Sequence, residues 1–374
     1  VFKVRIAVVL GTRPEIIKLS PLIRELEARG ADYFTVHSNQ HYSYELDKVF
    51  FDELSLPAPD HALGAKSGSH ARQTGRIMEG VEGVFAKEKP DAVFVQGDTN
   101  TVLAGALAAY KLGVFIAHVE AGLRSFDRRM PEEANRVMTD HVSDYLFAPT
   151  EQAKKNLESE GVGKHELITW RGAFTPKIFV SGNTSVDAAN QNLGLAEETF
   201  PNYLESLGLS EKEYLLVTAH RAENVDEKET FKEFLQAFNE LADETGKKTV
   251  YPVHPRSKKR IQEFGLNTGN VELIEPPGYL EFLLLEKGAH RILTDSGGVQ
   301  EEACTLGVPC VVLRKSSDRP ESIGAGAARL GGVTRESIKA AFHELDSVKK
   351  WENPYGDGNA SKNIVDEVVK WSSS

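Results

Sequence analysis

Residues 118–136, HVEAGLRSFDRRMPEEANR, carry four acidic and four basic side chains directly after the apolar run VFIA. A solvated loop has no need of Glu120, Glu132 and Glu133 set against Arg124 and Arg136, with Gly122 and Pro131 to hold the turn. Carboxylates gathered at the end of a buried strand can take and return protons or stabilise a developing positive charge, and guanidinium groups grip phosphate oxygens bidentately. The pattern recurs. GTRPEIIK (11–18), SNQHY (38–42), GDTNTV (97–102), TAHRAEN (218–224), VHPRSKK (253–259) and TDSGGVQEE (294–302) each follow a short apolar run. Turn chemistry accounts for Gly11, Gly97 and Asn224. It does not account for Arg13, Lys18, Asp98, Glu120, Arg136, His220 and Glu302 arriving in the same places, whereas a shared site does.

Two of these stretches read as anion sites. In TDSGGVQEE the run HRILTD enters Ser296-Gly297-Gly298, and VQEEACTLG then has helical composition. A small-residue turn opening a helix offers free backbone N–H groups and the positive end of the helix dipole, which suits a diphosphate. Glu301 and Glu302 are expected in the first helical turn, placed to accept from ribose hydroxyls. In GTRPEIIK, Pro14 suits the start of a helix, Arg13 is expected to point from the loop toward the ligand that fills the cleft, and Lys18 reaches either the same place or Glu15. Arg319, in SSDRPES, is a second loop guanidinium for a departing diphosphate. Neither GxxxxGK[ST] nor GxGxxG occurs, so the chain has no P-loop and no dinucleotide fingerprint of that type.

These residues need a scaffold that brings strand ends together. VRIAVVLG, DYFTVHS, DAVFVQG, VFIAHVE and DYLFAPT read as strands, each followed by a loop and a stretch of helical period. That alternation means βαβ units and a parallel sheet covered on both faces, with all strand C-terminal ends on one edge. The rhythm restarts at KIFVSGN and continues through EYLLVTAH, KTVYPVH, VELIEP, HRILTDSGG and PCVVLRK; the stretch 153–176 between them shows no clear strand. The expected architecture is α/β, with two doubly wound Rossmann-like domains facing a central cleft. Residues 1–177 with a C-terminal helix, 358–374, would form one domain, and 178–357 the other.

With 374 residues, two domains are the better expectation than one core. A net charge of -11 argues against nucleic acid as a partner, and no apolar run approaches a membrane span. No secretory leader opens the sequence, and the two cysteines, Cys304 and Cys310, lack metal-ligand spacing, so the expectation is a cytoplasmic protein with reduced thiols.

Taken together and in this order, GTRPEIIK, QGDTNTV, HVEAGLRS, MPEEANR, SGNTSVDA, TAHRAEN, TDSGGVQEEA, RPE and NPYGDG resemble the hallmarks of the non-hydrolysing UDP-N-acetylglucosamine 2-epimerases over nearly the whole chain. The resemblance implies a glycosyltransferase-B type fold, a homodimer, a place in cell-surface polysaccharide biosynthesis and no metal or nicotinamide cofactor. It also implies interconversion of UDP-N-acetylglucosamine and UDP-N-acetylmannosamine through elimination of UDP to 2-acetamidoglucal and re-addition. It carries catalytic roles to Asp98, Glu120, Glu132 and His220, and nucleotide-sugar contacts to Arg13, Lys18, Arg136, Phe282, Ser296, Gly297, Gly298, Glu302 and Arg319. Gln40, His41, Arg72 and His254 match parts of a second, activating nucleotide-sugar site known in some bacterial members, but Ala222 stands where those members have an arginine. Glu133 and Arg124 read instead as structural ion pairing. The competing readings are a 2-epimerase of UDP-2,3-diacetamido-glucuronic acid, a hydrolysing epimerase, and a glycosyltransferase on the same fold.

Overall fold

The computed structural model describes residues 4–40, 44–66, 68–169 and 172–372. The chain forms two compact units, Val1–Ala188 with Gly356–Ser374, and Ala189–Tyr355. In the first unit the strands are β1 (Arg5–Leu10), β2 (Asp32–His37), β3 (His61–Ala62), β4 (Ala92–Gln96), β5 (Phe115–Val119), β6 (Tyr145–Ala148), β7 (Leu167–Thr169), β8 (Gly172–Phe174) and β9 (Lys177–Val180). Seven of them make one sheet in the order β3-β2-β1-β4-β5-β6-β9, with parallel pairing throughout. The residues of β4, β5 and β6 are all buried, as expected of strands covered on both faces. The chain leaves β1 toward β2 on one side and later adds β4 on the other, and ligands bind outside such a reversal of strand order.

KIFV does not open the second half of the molecule. As β9 it pairs with β6, from Tyr145 against Lys177 to Ala148 against Val180, and completes the first sheet. Its Phe179 ring stacks on Phe147 with centroids 5.4 Å apart. The stretch before it, read as lacking strands, holds an antiparallel hairpin in which β7 pairs with β8. Three-residue strands with mostly exposed side chains carry too little alternation to be legible. The terminal helix Ala360–Ser372 belongs to this unit. Asp187 accepts from the N–H groups of Ala360 (3.2 Å) and Ser361 (2.8 Å), Arg29 pairs with Asp366 at 2.6 Å, and Trp371 stacks on Phe115 at 3.9 Å.

The second unit contains β10 (Tyr214–Thr218), β11 (Lys248–Pro252), β12 (Val271–Ile274), β13 (Arg291–Thr294), β14 (Cys310–Val312) and β15 (Ala328–Leu330). They form a parallel sheet in the order β12-β11-β10-β13-β14-β15, so the reversal falls at β10. Phe231, Phe234, Phe238, Tyr251 and Phe342 anchor its core. The fold is therefore α/β, with two doubly wound parallel sheets. Cys304 and Cys310 are free and buried, and burial pushes the Cys304 thiol up to about 12, which leaves it inert. Among the described residues, no helix is long and apolar enough to cross a membrane.

Candidate functional site

In the first unit β4 and β5 are neighbours, with Gln96 opposite Val119, so Asp98 and Glu120 leave adjacent strand ends. Glu120 is buried and has a φ of 68°, a left-handed conformation uncommon for any residue but glycine. Strain of that kind persists where the surroundings over-determine it. Here both carboxylate oxygens accept from the Lys18 ammonium, at 2.9 and 2.8 Å, and Gln96 donates to one of them. Lys18 thus reaches across from the helix Arg13–Ala28 to Glu120, not to Glu15. Glu15 instead closes the GTR turn. It accepts from the N–H groups of Gly11 (2.7 Å) and Thr12 (2.8 Å) and from Thr99 Oγ1 (2.5 Å). Burial raises its carboxyl to about 7 against the pull of those donors.

Asp98 accepts from the Arg136 guanidinium at 2.5 Å, and the Asn135 amide holds the Asp98 carbonyl at 2.9 Å. Arg136 also donates to Glu133 at 3.0 Å. From the helix Pro131–Val142 it therefore pairs with Glu133 on the same helix and with Asp98 in the loop after β4, and Glu132 is half-buried in the helix's first turn. Burial alone would raise Glu133, but donors from Ser125, Phe126 and Arg136 outweigh it and hold that carboxyl below its ordinary value. Arg124 pairs elsewhere, with Asp140 at 2.7 Å and Glu160 at 2.7 Å. Glu133 and Arg124 are both structural ion-pair residues, with different partners. Arg13 opens its helix and lies over the Phe50 ring at 4.7 Å.

Beneath these loops lies a buried set of contacts that sequence reasoning missed. His118 Nδ1 is 2.7 Å from Asp140, its Nε2 is 2.9 Å from the Gly97 carbonyl, and Asp140 also accepts from Gly122 N–H at 3.2 Å. One carboxylate thereby ties the Asp98 loop to the Glu120 loop. Gly122, at φ +81°, cannot carry a side chain, because a Cβ there would sit 2.3 Å from the Ala153 carbonyl oxygen. The adjacent charges of HVEAGLRS hinted at such a network, but Asp140 gave no local signal.

In the second unit the corresponding hub is Asp295, which is fully buried at the end of β13. It accepts from the N–H groups of His220 (3.0 Å) and Arg221 (2.9 Å) and from the Asn224 amide (3.0 Å), and His220 Nδ1 lies 3.3 Å away. The loops after β10 and β13 are thus locked together, leaving His220 partly exposed. Ser296 caps the helix Gly297–Leu306 and accepts from Val299 N–H at 3.5 Å. Because Gly297 is the first helical residue, Glu301 and Glu302 fall in the second turn, not the first. Glu301 is buried and bound to Arg319 Nε, which holds that guanidinium in place. The Arg319 carbonyl is fixed in turn by Gln300 at 2.9 Å. Phe282 is half-buried on the helix Tyr279–Gly288.

The residues matched to an activating site fall in both units. Gln40 is buried and accepts from Thr101 N–H (3.1 Å) and Oγ1 (2.7 Å), Arg72 is exposed on the helix His70–Glu88, and His41 lies outside the described residues. His254, in the second unit, caps the helix Pro255–Phe264 with its ring centroid 5.7 Å from that of His220. Partial burial, then His220 and Arg256, hold it below its ordinary pKa.

Fold and site together define a pair of Rossmann-like units, one presenting carboxylates at its strand ends and the other a helix N-terminus with a tethered guanidinium. Residues 24–369 match the family model described as UDP-N-acetylglucosamine 2-epimerase, and the chain belongs to that family. It is similar to the UDP-N-acetylglucosamine 2-epimerase of Methanocaldococcus jannaschii, with 52% identity over 96% of this chain and 98% of the relative. It is similar also to the UDP-2,3-diacetamido-2,3-dideoxy-D-glucuronate 2-epimerase of Pseudomonas aeruginosa, with 39% identity over 98% of this chain and 99% of the relative. The crystal structure of the Methanocaldococcus jannaschii epimerase in complex with UDP-GlcNAc and UDP aligns with a TM-score of 0.83 and 50% identity, covering 98% of this chain and 99% of that one.

Proposed function

We propose that the protein is a non-hydrolysing 2-epimerase interconverting UDP-N-acetylglucosamine and UDP-N-acetylmannosamine. The observation that carries this reading is the placement of Asp98 and Glu120 at adjacent strand ends, each held by a cation, in a chain of this family. The proton at sugar C2 is hardly acidic, because C1 is an acetal carbon. Stretching the C1–O bond toward loss of UDP puts positive charge on the ring and makes that proton removable. Carboxylates at the ring stabilise this charge and accept the proton, giving 2-acetamidoglucal. UDP then adds back while a proton arrives on the opposite face of C2, which requires more than one acid/base group.

Asp98 and Glu120 are the proposed proton-transfer groups, and Glu132 the ring-stabilising carboxylate. Lys18 orients Glu120 through its ion pair, and Arg136 does the same for Asp98. On the departing UDP, the Ser296–Gly298 helix start, His220, Arg13 and Arg319 take the diphosphate, Glu302 the ribose and Phe282 the uracil. The working form is proposed to be a cytoplasmic homodimer. Two buried free thiols support the compartment, and the sequence resemblance supports the dimer.

Purified protein incubated with UDP-N-acetylglucosamine should yield UDP-N-acetylmannosamine by proton NMR, with no added acceptor. Release of free N-acetylmannosamine would mark the hydrolysing reaction, turnover only with an acceptor a transferase, and turnover only of the diacetamido-glucuronate the sister epimerase. The higher identity to the UDP-N-acetylglucosamine enzyme favours the first outcome.

A further inference from the structure

Glu286, on the helix Tyr279–Gly288, is fully buried, yet neither of its carboxyl oxygens has a hydrogen-bond donor among the described residues. The polar group it faces is another carboxylate, that of Glu302, from the packed helix Gly297–Leu306. The Tyr279 hydroxyl, also buried, lies near the same Glu302 and near the Asn192 side chain. The other titratable groups near Glu286 are the Tyr214 phenol from β10 and the Cys310 thiol from β14. Tyr203, on the helix Tyr203–Ser206 that packs on the same segment, has Glu281 as its charged neighbour. No cation is among them.

A buried carboxylate with no donor and a like charge beside it is costly, and the cost disappears if one of the pair keeps its proton. A protonated Glu286 has the Glu302 carboxylate as an acceptor. We propose that Glu286 is a positioning residue that carries a proton in the working protein and donates it to Glu302, fixing that carboxylate for the ribose hydroxyls of the bound nucleotide. This rests on the reading of Glu302 as a nucleotide contact. Burial first, and then Glu302, raise Glu286 well above the carboxylate range. For an acid whose folded-state pKa is raised, the stabilising form is fully present below the unfolded value and is lost as pH rises through the folded one. Nucleotide binding therefore weakens on the alkaline side, as the two carboxylates come to repel.

Calorimetric titration of the full chain with UDP, carried from the acidic side through neutral into the alkaline range, tests this. Wild-type affinity is expected to fall with rising pH. Glu286→Gln, which keeps a donor that cannot ionise, should bind within about threefold of the wild type and lose the pH dependence. Glu286→Met, of similar volume and with no donor, should bind about tenfold more weakly and raise KM far more than it lowers kcat. The infrared difference spectrum, wild type minus Glu286→Gln, should contain a protonated-carboxyl band, because the contribution of Glu15 is common to both and cancels. Glu302→Gln serves as the control on the nucleotide contact. If it weakens UDP binding about tenfold while Glu286→Met binds as the wild type does, the proposal is wrong and the reading of Glu302 stands. If Glu302→Gln leaves UDP affinity unchanged, the reading of Glu302 itself fails, whatever the infrared band shows about the proton.

Discussion

Asp98→Asn and Glu120→Gln should each lower kcat by about a thousandfold, the scale on which a positioned acid/base group contributes. UDP affinity should stay within about threefold, because the proposed diphosphate and ribose contacts, Arg13 apart, come from residues of the second unit and none comes from Asp98 or Glu120. Asn and Gln keep nearly the shape of the acids they replace, so each loop retains its course. What each loses is the ability to take or return a proton. The pairing observed here sharpens the expectation. Arg136 at 2.5 Å and Lys18 at 2.8 Å are aimed at these two carboxylates, so the amides also lose an ion pair that fixes their orientation. Near-normal turnover in both variants, measured by coupled NMR time courses, would remove proton transfer from Asp98 and Glu120.

Asp140→Ala should be the most damaging change to stability, at about 3–5 kcal/mol, the usual cost of leaving a buried charge without its partner. Asp140 is almost fully buried and compensates Arg124, whose side chain is 1% exposed, while also holding His118 and the Gly122 N–H. Alanine would take an acceptor from all three at once, leaving Arg124 with Glu160 and His118 with the Gly97 carbonyl. Asp140→Asn should recover part of the loss, since an amide oxygen still accepts one of these bonds. Urea unfolding of the two variants checks this, and a loss under about 1 kcal/mol for alanine would show that the network relaxes at no cost. Because the same contacts join the Gly97 and Glu120 loops, Asp140→Asn should also lower kcat while UDP affinity holds.

The sheets were legible because parallel strands buried on both faces read as continuous apolar runs, and β1, β4, β5 and β10 each announce themselves that way. The polar residues after those runs were legible for the same reason, since the pattern marks where each strand stops. Edge elements were harder to read. β9 is half exposed and looks like the start of a new unit until its pairing with β6 is known. The hairpin of β7 and β8 is too short for any period to register. Within the site, chemistry near in sequence came through, and chemistry supplied from a distance did not. The spacing in GTRPEIIK offers Lys18 a ligand or Glu15, but Lys18 pairs with a residue 102 positions away. Glu301 and Glu302 look alike in sequence, and tertiary partners separate them, one bound to Arg319 and the other facing Glu286.

Removal of the C2 proton is the step from which every assigned role follows, and deuterated water reports on it. UDP-N-acetylglucosamine turned over by the protein in that solvent should give UDP-N-acetylmannosamine carrying deuterium at C2, with label accumulating at C2 of the remaining substrate as the reaction reverses. Product that retains protium at C2 would contradict elimination with proton transfer by Asp98 and Glu120.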